Sequence, residues 1–366
     1  MHSPGTLLRP AGRSRTGKRC PVPQTRLCSN LLGRRACLGL LASAGLVARA
    51  RATEPLRLGL LHTLSPAPFY IAQERGYFRD AGVELAFTFF EAAQPIAAAA
   101  VAGDLDVGIT ALTGGFFNLA ATGMLKVIGG GLHEQRGYDG SAILVSNQAF
   151  ESGLTTPDKL AGHSFAITQY GSSFHYMLGR IAEAKGFDVK SVTLRPVQQV
   201  PNMLASVQSN QVDATIAIAS MARPLAAKGQ AHIIGWVGDI VPYQITALFA
   251  TQSVIERQAD LLHRFAGAYR KGVDDYREAF LRLDAQGRPI IDASTDAMIP
   301  LITKYVFTAE QDARSKILEG VGYYDAGGAL DVADVEAQYA WFAAQGLVKP
   351  GIDPASLIDT RFLPTR

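Results

Sequence analysis

Chemistry at a protein site needs a nucleophile, an acid–base pair or a set of metal ligands, and this sequence concentrates none of them. Its three cysteines, Cys20, Cys28 and Cys37, all lie within the first 52 residues. From Thr53 onward a disulfide, a thiolate metal site and a cysteine nucleophile are therefore excluded. The histidines are scattered, at His2, His62, His133, His163, His175, His232 and His263. Neither an H-E-x-x-H pair nor a G-x-S-x-G nucleophile elbow occurs. The triplet Gly129-Gly130-Gly131 lacks the G-K-[ST] ending of a phosphate loop, so it reads as the turn that closes a strand.

What recurs is a small hydroxyl residue ahead of a helical stretch. Thr63 and Ser65 precede Pro66, Thr110 and Thr113 precede Gly114, and Ser172 and Ser173 follow Tyr170-Gly171. The first N–H groups of a helix have no partner within it and carry partial positive charge, so such ends hold anions without an arginine. Taken singly, each hydroxyl is also what an ordinary N-cap looks like. Several converging on one cleft would make a binding site. Arg223, beside Pro224, is either a full positive charge for such a ligand or a surface residue. His62 offers a hydrogen bond or a stacking face, and Tyr170 a wall for an organic group.

These residues need a scaffold, and the pattern describes one. An apolar strand over 56–61 leads through a loop at 62–66 into a helix from Pro68, and Gly82 suits the left-handed turn before the next strand, 83–90. An alanine-rich helix follows over 94–102, then strand 107–110, helix 116–122 and strand 125–128. Strands alternating with helices across short loops indicate an α/β fold with a doubly wound, mostly parallel sheet. The series then repeats: strand 164–168, helix 174–185, strand 192–194, helix 201–209 and strand 212–216. Asp106 and Asp213 fall at the same place in the two copies. Two similar lobes follow, with the strands at 141–146 and 246–250 as crossovers and a ligand cleft between them. The expected boundaries are 53–145 plus 248–366 for the first lobe and 146–247 for the second. Residues beyond 252 are mostly helical, with Leu261, Phe265, Tyr269 and Val273 forming an apolar stripe for the core.

The stretch "PFYIAQERGYFRDAGVEL" from Pro68 resembles the opening signature of the solute-binding proteins of ABC importers for alkanesulfonates, taurine, nitrate and thiamine pyrimidine precursors. "TTPDKLAGHSFAI" with "YGSS" is similar to the family's entry to its second lobe, and "VEAQYAWFAAQGLVKPGIDPASLID" to its closing signature. The resemblance runs from residue 55 to about 359. It implies the two-lobed type 2 periplasmic-binding-protein fold, with loops 62–66, 110–115, 170–173 and 219–223 lining the cleft. Gly114 and Gly171 then join His62, Thr63, Ser65, Thr110, Thr113, Tyr170, Ser172, Ser173 and Arg223 as ligand-binding residues. It also implies a small organic anion as ligand, sulfonate or taurine-like, a monomeric receptor without cofactor or metal, and an ABC permease with its ATPase as partner. Nitrate-type anions, aromatic carboxylates and thiamine pyrimidine precursors are the alternative ligands. A related enzyme branch that makes the thiamine pyrimidine carries a cysteine-rich iron motif, which a cysteine-free chain beyond Thr53 does not supply.

Charge agrees with an exported protein. The net charge of +3 comes from residues 1–52, which hold ten of the 35 basic residues and no acid; the other 25 face 32 acidic ones, giving −7. A basic balance confined to a tail is not a nucleic-acid surface. The apolar run 38–47 is too short to span a bilayer and ends at Ala50-Arg51-Ala52, a signal-peptidase pattern. "GRRACLGLL" resembles a twin-arginine export signal, although Gly33 and Cys37 depart from the usual residues. Export to the periplasm with cleavage near Ala52 is the expectation.

Overall fold

The computed structural model describes residues 54–366; the expected export signal lies outside the described residues. The strands in chain order are β1 (Leu56–Leu61), β2 (Leu85–Phe90), β3 (Val107–Ala111), β4 (Leu125–Gly130), β5 (Leu132–Glu134), β6 (Ser141–Val145), β7 (Ser164–Ile167), β8 (Thr193–Pro196), β9 (Ala214–Ile218), β10 (His232–Trp236), β11 (Tyr243–Gln244), β12 (Thr246–Thr251) and β13 (Tyr323–Tyr324). Ten of them form two five-stranded sheets, ordered β2-β1-β3-β12-β4 and β8-β7-β9-β6-β10.

The two orders are one pattern used twice. β1 pairs in parallel with β2 and β3, as β7 does with β8 and β9. A single antiparallel strand then intervenes: β12 between β3 and β4, β6 between β9 and β10. The doubly wound, mostly parallel reading therefore holds, with one reversed crossover strand in each sheet.

The repeat extends to a side-chain device. The Asp106 carboxylate accepts the backbone N–H of Arg57 at 2.9 Å and pairs with its guanidinium at 2.8 Å. The Asp213 carboxylate accepts the backbone N–H of Ser164 at 2.8 Å and its hydroxyl at 2.9 Å. Each aspartate lies 49 residues after its partner. Burial pushes both carboxyls up, but these hydrogen bonds outweigh it and hold both below the usual range.

The strand at 141–145 corrects one boundary. Assigned from sequence to the first lobe, β6 is instead hydrogen-bonded on both sides within the second sheet. Ala142 and Leu144 pack with Val207, Ala217 and Ala222, while Ile143 and Val145 face the main core. A strand apolar on both faces belongs inside a covered sheet. The passage between sheets thus precedes residue 141. In the long helix Ala259–Phe280 the stripe of Phe265, Tyr269, Val273 and Tyr276 is buried, but Leu262 takes the inward position expected for the half-buried Leu261.

Both passages run through a third, small sheet, β11-β5-β13. Tyr243 lies opposite Glu134 and Gln244 opposite His133. Gln244 ties the strands together. Its side-chain amide donates to the carbonyls of Gly131, Leu132 and Thr246, at 3.2, 3.2 and 2.9 Å. Its backbone N–H donates to Asp334 at 2.9 Å, and its carbonyl accepts from Gln338 at 2.8 Å. Glu134, wholly buried beside it, accepts the Ser141 N–H at 3.2 Å. Burial pushes the Glu134 carboxyl up to about 7, and that of Asp334 up to about 6.

A carboxyl raised by folding stabilises the fold below its ordinary value near 4.5 and loses that contribution as pH rises through about 7. Glu134 therefore contributes on the order of 3 kcal/mol of pH dependence. Urea unfolding at pH 5 and pH 8 is expected to show wild type losing stability between them, and Glu134→Gln losing markedly less. Parallel losses in the two proteins would contradict a protonated Glu134.

Candidate functional site

Among the described residues, six helices begin at the carboxyl ends of the parallel strands β1, β2, β3, β7, β8 and β9: Ala67–Glu74, Ala93–Ala102, Gly114–Ala120, Ser173–Lys185, Val200–Gln208 and Ala219–Ala227. Each places a residue from its start, or from just before it, in the wall of one cleft between the sheets: Ser65, Gln94, Thr113, Ser173, Val200 and Met221. The cleft holds about 830 Å³ of non-atom space, its open mouth included. Open α/β sheets present their ligand crevices at this end of the strands.

Two of the helices are capped by side chains. The Thr113 hydroxyl accepts the Phe116 N–H at 2.9 Å and the Ser172 hydroxyl the His175 N–H at 3.4 Å. Pro66, Ala92, Gln199 and Ile218 cap nothing with their side chains. Three first N–H groups go to backbone carbonyls, Ala67 to Leu64, Gly114 to Gly171 and Ala219 to Gly140. The first N–H groups of Ala93, Ser173 and Val200 have no partner among the described residues. Ser173 and Thr168, each only 7% exposed, also present hydroxyls without a protein partner there.

The rest of the wall is mostly apolar, with Leu61, Leu132, Phe174, Met177, Ile218 and Ile245. No Lys, Arg, His, Asp or Glu is among the described residues that line it. The partial positive charge that the described residues bring to this wall is that of the helix ends. Among the described residues no group of three or more His, Cys, Asp or Glu is placed to hold a metal ion.

Of the residues singled out in the sequence, Thr63, Ser65, Thr113, Ser172 and Ser173 line the cleft. Thr110 lies one residue outside it, buried, its hydroxyl 3.4 Å from the Ala93 carbonyl. His62 is exposed, with Nε2 2.9 Å from the Tyr305 carbonyl and its ring 4.9 Å from that of Phe89. Tyr170 is 57% exposed at the surface. Arg223 turns away, pairing with Asp139 and lying 5.3 Å over the Trp236 ring. An ion pair and an aromatic face hold a guanidinium better than an apolar cleft does.

Gly114 and Gly171 act on each other. The Gly114 N–H donates to the Gly171 carbonyl at 2.8 Å, a bond between the halves carrying the two sheets. Gly171 adopts φ +75°, which a side chain would strain, and its own N–H donates to Nδ1 of His175 at 3.2 Å. That bond needs an unprotonated Nδ1, and burial lowers the His175 pKa. The helix Val332–Ala344 and the segment after it brace these halves: the Leu347 carbonyl accepts from Asn118 at 3.0 Å, while Trp341, within the helix, donates to Glu183 at 3.1 Å.

The family described as NMT1/THI5 like matches residues 64–279, more than half of the chain. The chain belongs to this family. No curated protein matches it. Among solved structures it is similar to the alkanesulfonate-binding protein SsuA from Xanthomonas axonopodis pv. citri bound to MOPS, at TM-score 0.64 and 17% identity, over 84% of this chain and 98% of that one. The periplasmic aliphatic sulphonate binding protein SsuA from Escherichia coli gives 0.63 and 17%, over 84% and 92%. The periplasmic nitrate-binding protein NrtA from Synechocystis PCC 6803 gives 0.62 and 13%, over 86% of each chain. The periplasmic-binding-protein fold expected from the resemblance is the fold of this NMT1/THI5-like chain.

Sequence reasoning missed Gln94, Thr168, Phe174, Met177 and Val200, while Met221 falls within the segment 219–223 expected to line the cleft. The signal for two of them was present: Gln94 and Val200 open the helices after the second strand of each copy, the one pair of strand ends left unread. A Cβ on Gly114 would stand 3.3 Å from the Leu347 carbonyl oxygen. Gly114→Val is therefore expected to break the Gly114–Gly171 bond, raising hydrogen exchange about tenfold at both 112–116 and 169–173, the factor for losing one hydrogen bond of ~1.4 kcal/mol. A rise on one side only would show that this bond does not join the halves.

Proposed function

We propose that this protein is the periplasmic solute-binding receptor of an ABC importer, closing two lobes on a small organic anion and handing it to a permease with its ATPase. The observation that carries this reading is the cleft walled by six helix starts and no charged side chain. An anion gains from the unpaired N–H groups at Ala93, Ser173 and Val200 and from the hydroxyls of Ser173 and Thr168. An ammonium group would find no carboxylate, which favours alkane- or arenesulfonates over taurine. The apolar wall suits an organic body and would lie bare around nitrate. Aromatic carboxylates share the needed chemistry and are the second reading.

Ligand contacts reach both halves, through Thr63, Ser65, Gln94 and Thr113 on one and Thr168, Ser172 and Ser173 on the other. Contact with both is what makes a ligand favour closure. The pair β5 and β11 then serves as hinge. The wall offers hydroxyls and amides but no nucleophile paired with a base, which supports binding over catalysis. Residues 1–52 serve as the export signal, cleaved near Ala52, and the receptor works as a monomer without cofactor.

A thermal-shift panel of alkanesulfonates, arenesulfonates, taurine, nitrate, benzoate and pyrimidines tests this. A ligand at 100 times its Kd adds about 2.7 kcal/mol of stability, and the sulfonates with an apolar body are expected to give the largest shifts. Ser173→Ala combined with Thr168→Val is expected to weaken that binding by roughly 1–3 kcal/mol with little change in the unliganded melt. A panel in which no anion shifts the melt would overturn the receptor reading.

A further inference from the structure

We infer that Gln94 is a specificity-determining residue of this cleft, a side-chain amide clamped so that both its N–H groups face the ligand. The inference rests on the receptor reading and goes further, since it fixes the chemistry of the ligand's head at one point.

The clamp follows from counting protons on one hydroxyl. Thr113 Oγ1 accepts the Phe116 N–H at 2.9 Å, so a lone pair is engaged and its own proton needs an acceptor. The atom that receives it is Gln94 Oε1, at 2.7 Å. Thr113 is 2% exposed, leaving no bulk water to take the proton instead. A flipped amide would set its NH2 group against Oγ1 and leave the hydroxyl proton without an acceptor. One orientation of Gln94 therefore satisfies the cap, and in it Nε2 points away from Thr113.

Nothing among the described residues meets Nε2. Gln94 is half-buried in the cleft wall, in the first turn of the helix Ala93–Ala102. The following residue, Pro95, has no N–H, so the donors at this helix start are two backbone groups and this side chain. Gly115 packs against the amide so closely that a Cβ there would collide with it. Oε1 is occupied and Nε2 is not, so the group opposite Gln94 has to be an acceptor. A sulfonate or carboxylate oxygen fits; an ammonium does not.

Two substitutions of Gln94 separate this from a structural role. Gln94→Glu keeps the shape and the acceptor for Thr113 but replaces the donors with a carboxylate oxygen. Gln94→Met keeps the length and removes both. Calorimetry of the full chain with benzenesulfonate, octanesulfonate, benzoate and benzylamine reads the outcome. Gln94→Glu is expected to lose anion affinity at least 100-fold and to gain on benzylamine, and Gln94→Met to lose about tenfold on anions with no gain on the amine. Thr113→Ser, which retains cap and clamp, is expected to bind as wild type does, whereas Thr113→Val loses affinity. The melting temperature of Gln94→Glu stays with that of wild type, whereas Gln94→Met, which leaves the Thr113 hydroxyl without its acceptor, melts somewhat lower. Anion affinities of both Gln94 variants within twofold of a binding wild type would overturn the inference and leave the receptor reading standing. A wild type that binds none of the anions would bring down both.

Discussion

A helix that follows a parallel strand starts at the strand's carboxyl end, and its first N–H groups have no partner inside the helix. This chain makes that arrangement six times around one cleft, three from each sheet. Side chains cap few of these donors: among the described residues four of the six N-cap residues make no side-chain cap hydrogen bond, and three first N–H groups have no partner. The helix ends thereby bring partial positive charge to the cleft, with no cationic side chain among the described residues of its wall. Selectivity then falls to neutral groups set by their neighbours, as Thr113 sets Gln94 and His175 sets the Gly171 turn.

The same duplication brings the two connections between the sheets together. Each sheet takes one reversed strand from the chain's return path, so two passages, through β5 and β11, run side by side and pair. Gln244 satisfies its polar atoms within these passages and the helix Val332–Ala344, which stiffens the strands without locking one half onto the other. The Gly114–Gly171 bond is a separate link between the halves. Single hydrogen bonds of this kind are worth about 1 kcal/mol, small enough for a ligand touching both halves to govern the balance.

The fold was legible because its signals are local: apolar strands, glycine stops and two aspartates at one place in two copies. Which sheet β6 joins was not, since a strand apolar on both faces fits either one. Arg223 shows a second limit, because its type suggested an anion partner while Asp139, 84 residues away, holds it elsewhere. The hydroxyls of Thr113, Ser172 and Ser173 could be read as helix starts from their spacing alone. Gln94 could not, because its role depends on a lone pair of Thr113 being already engaged, a fact of geometry.

The central claim is that ligand bound in the cleft draws the two halves together, and a distance between them tests it directly. The cysteines of the chain all lie in residues 1–52, so in protein freed of that segment Glu84→Cys with Lys190→Cys supplies one exposed label on each half. Pulsed electron–electron resonance should show a longer, broader distance distribution without ligand and a shorter, narrower one with a saturating arenesulfonate. One unchanged distribution in the presence of a ligand that calorimetry shows to be bound would contradict closure as the way this protein works.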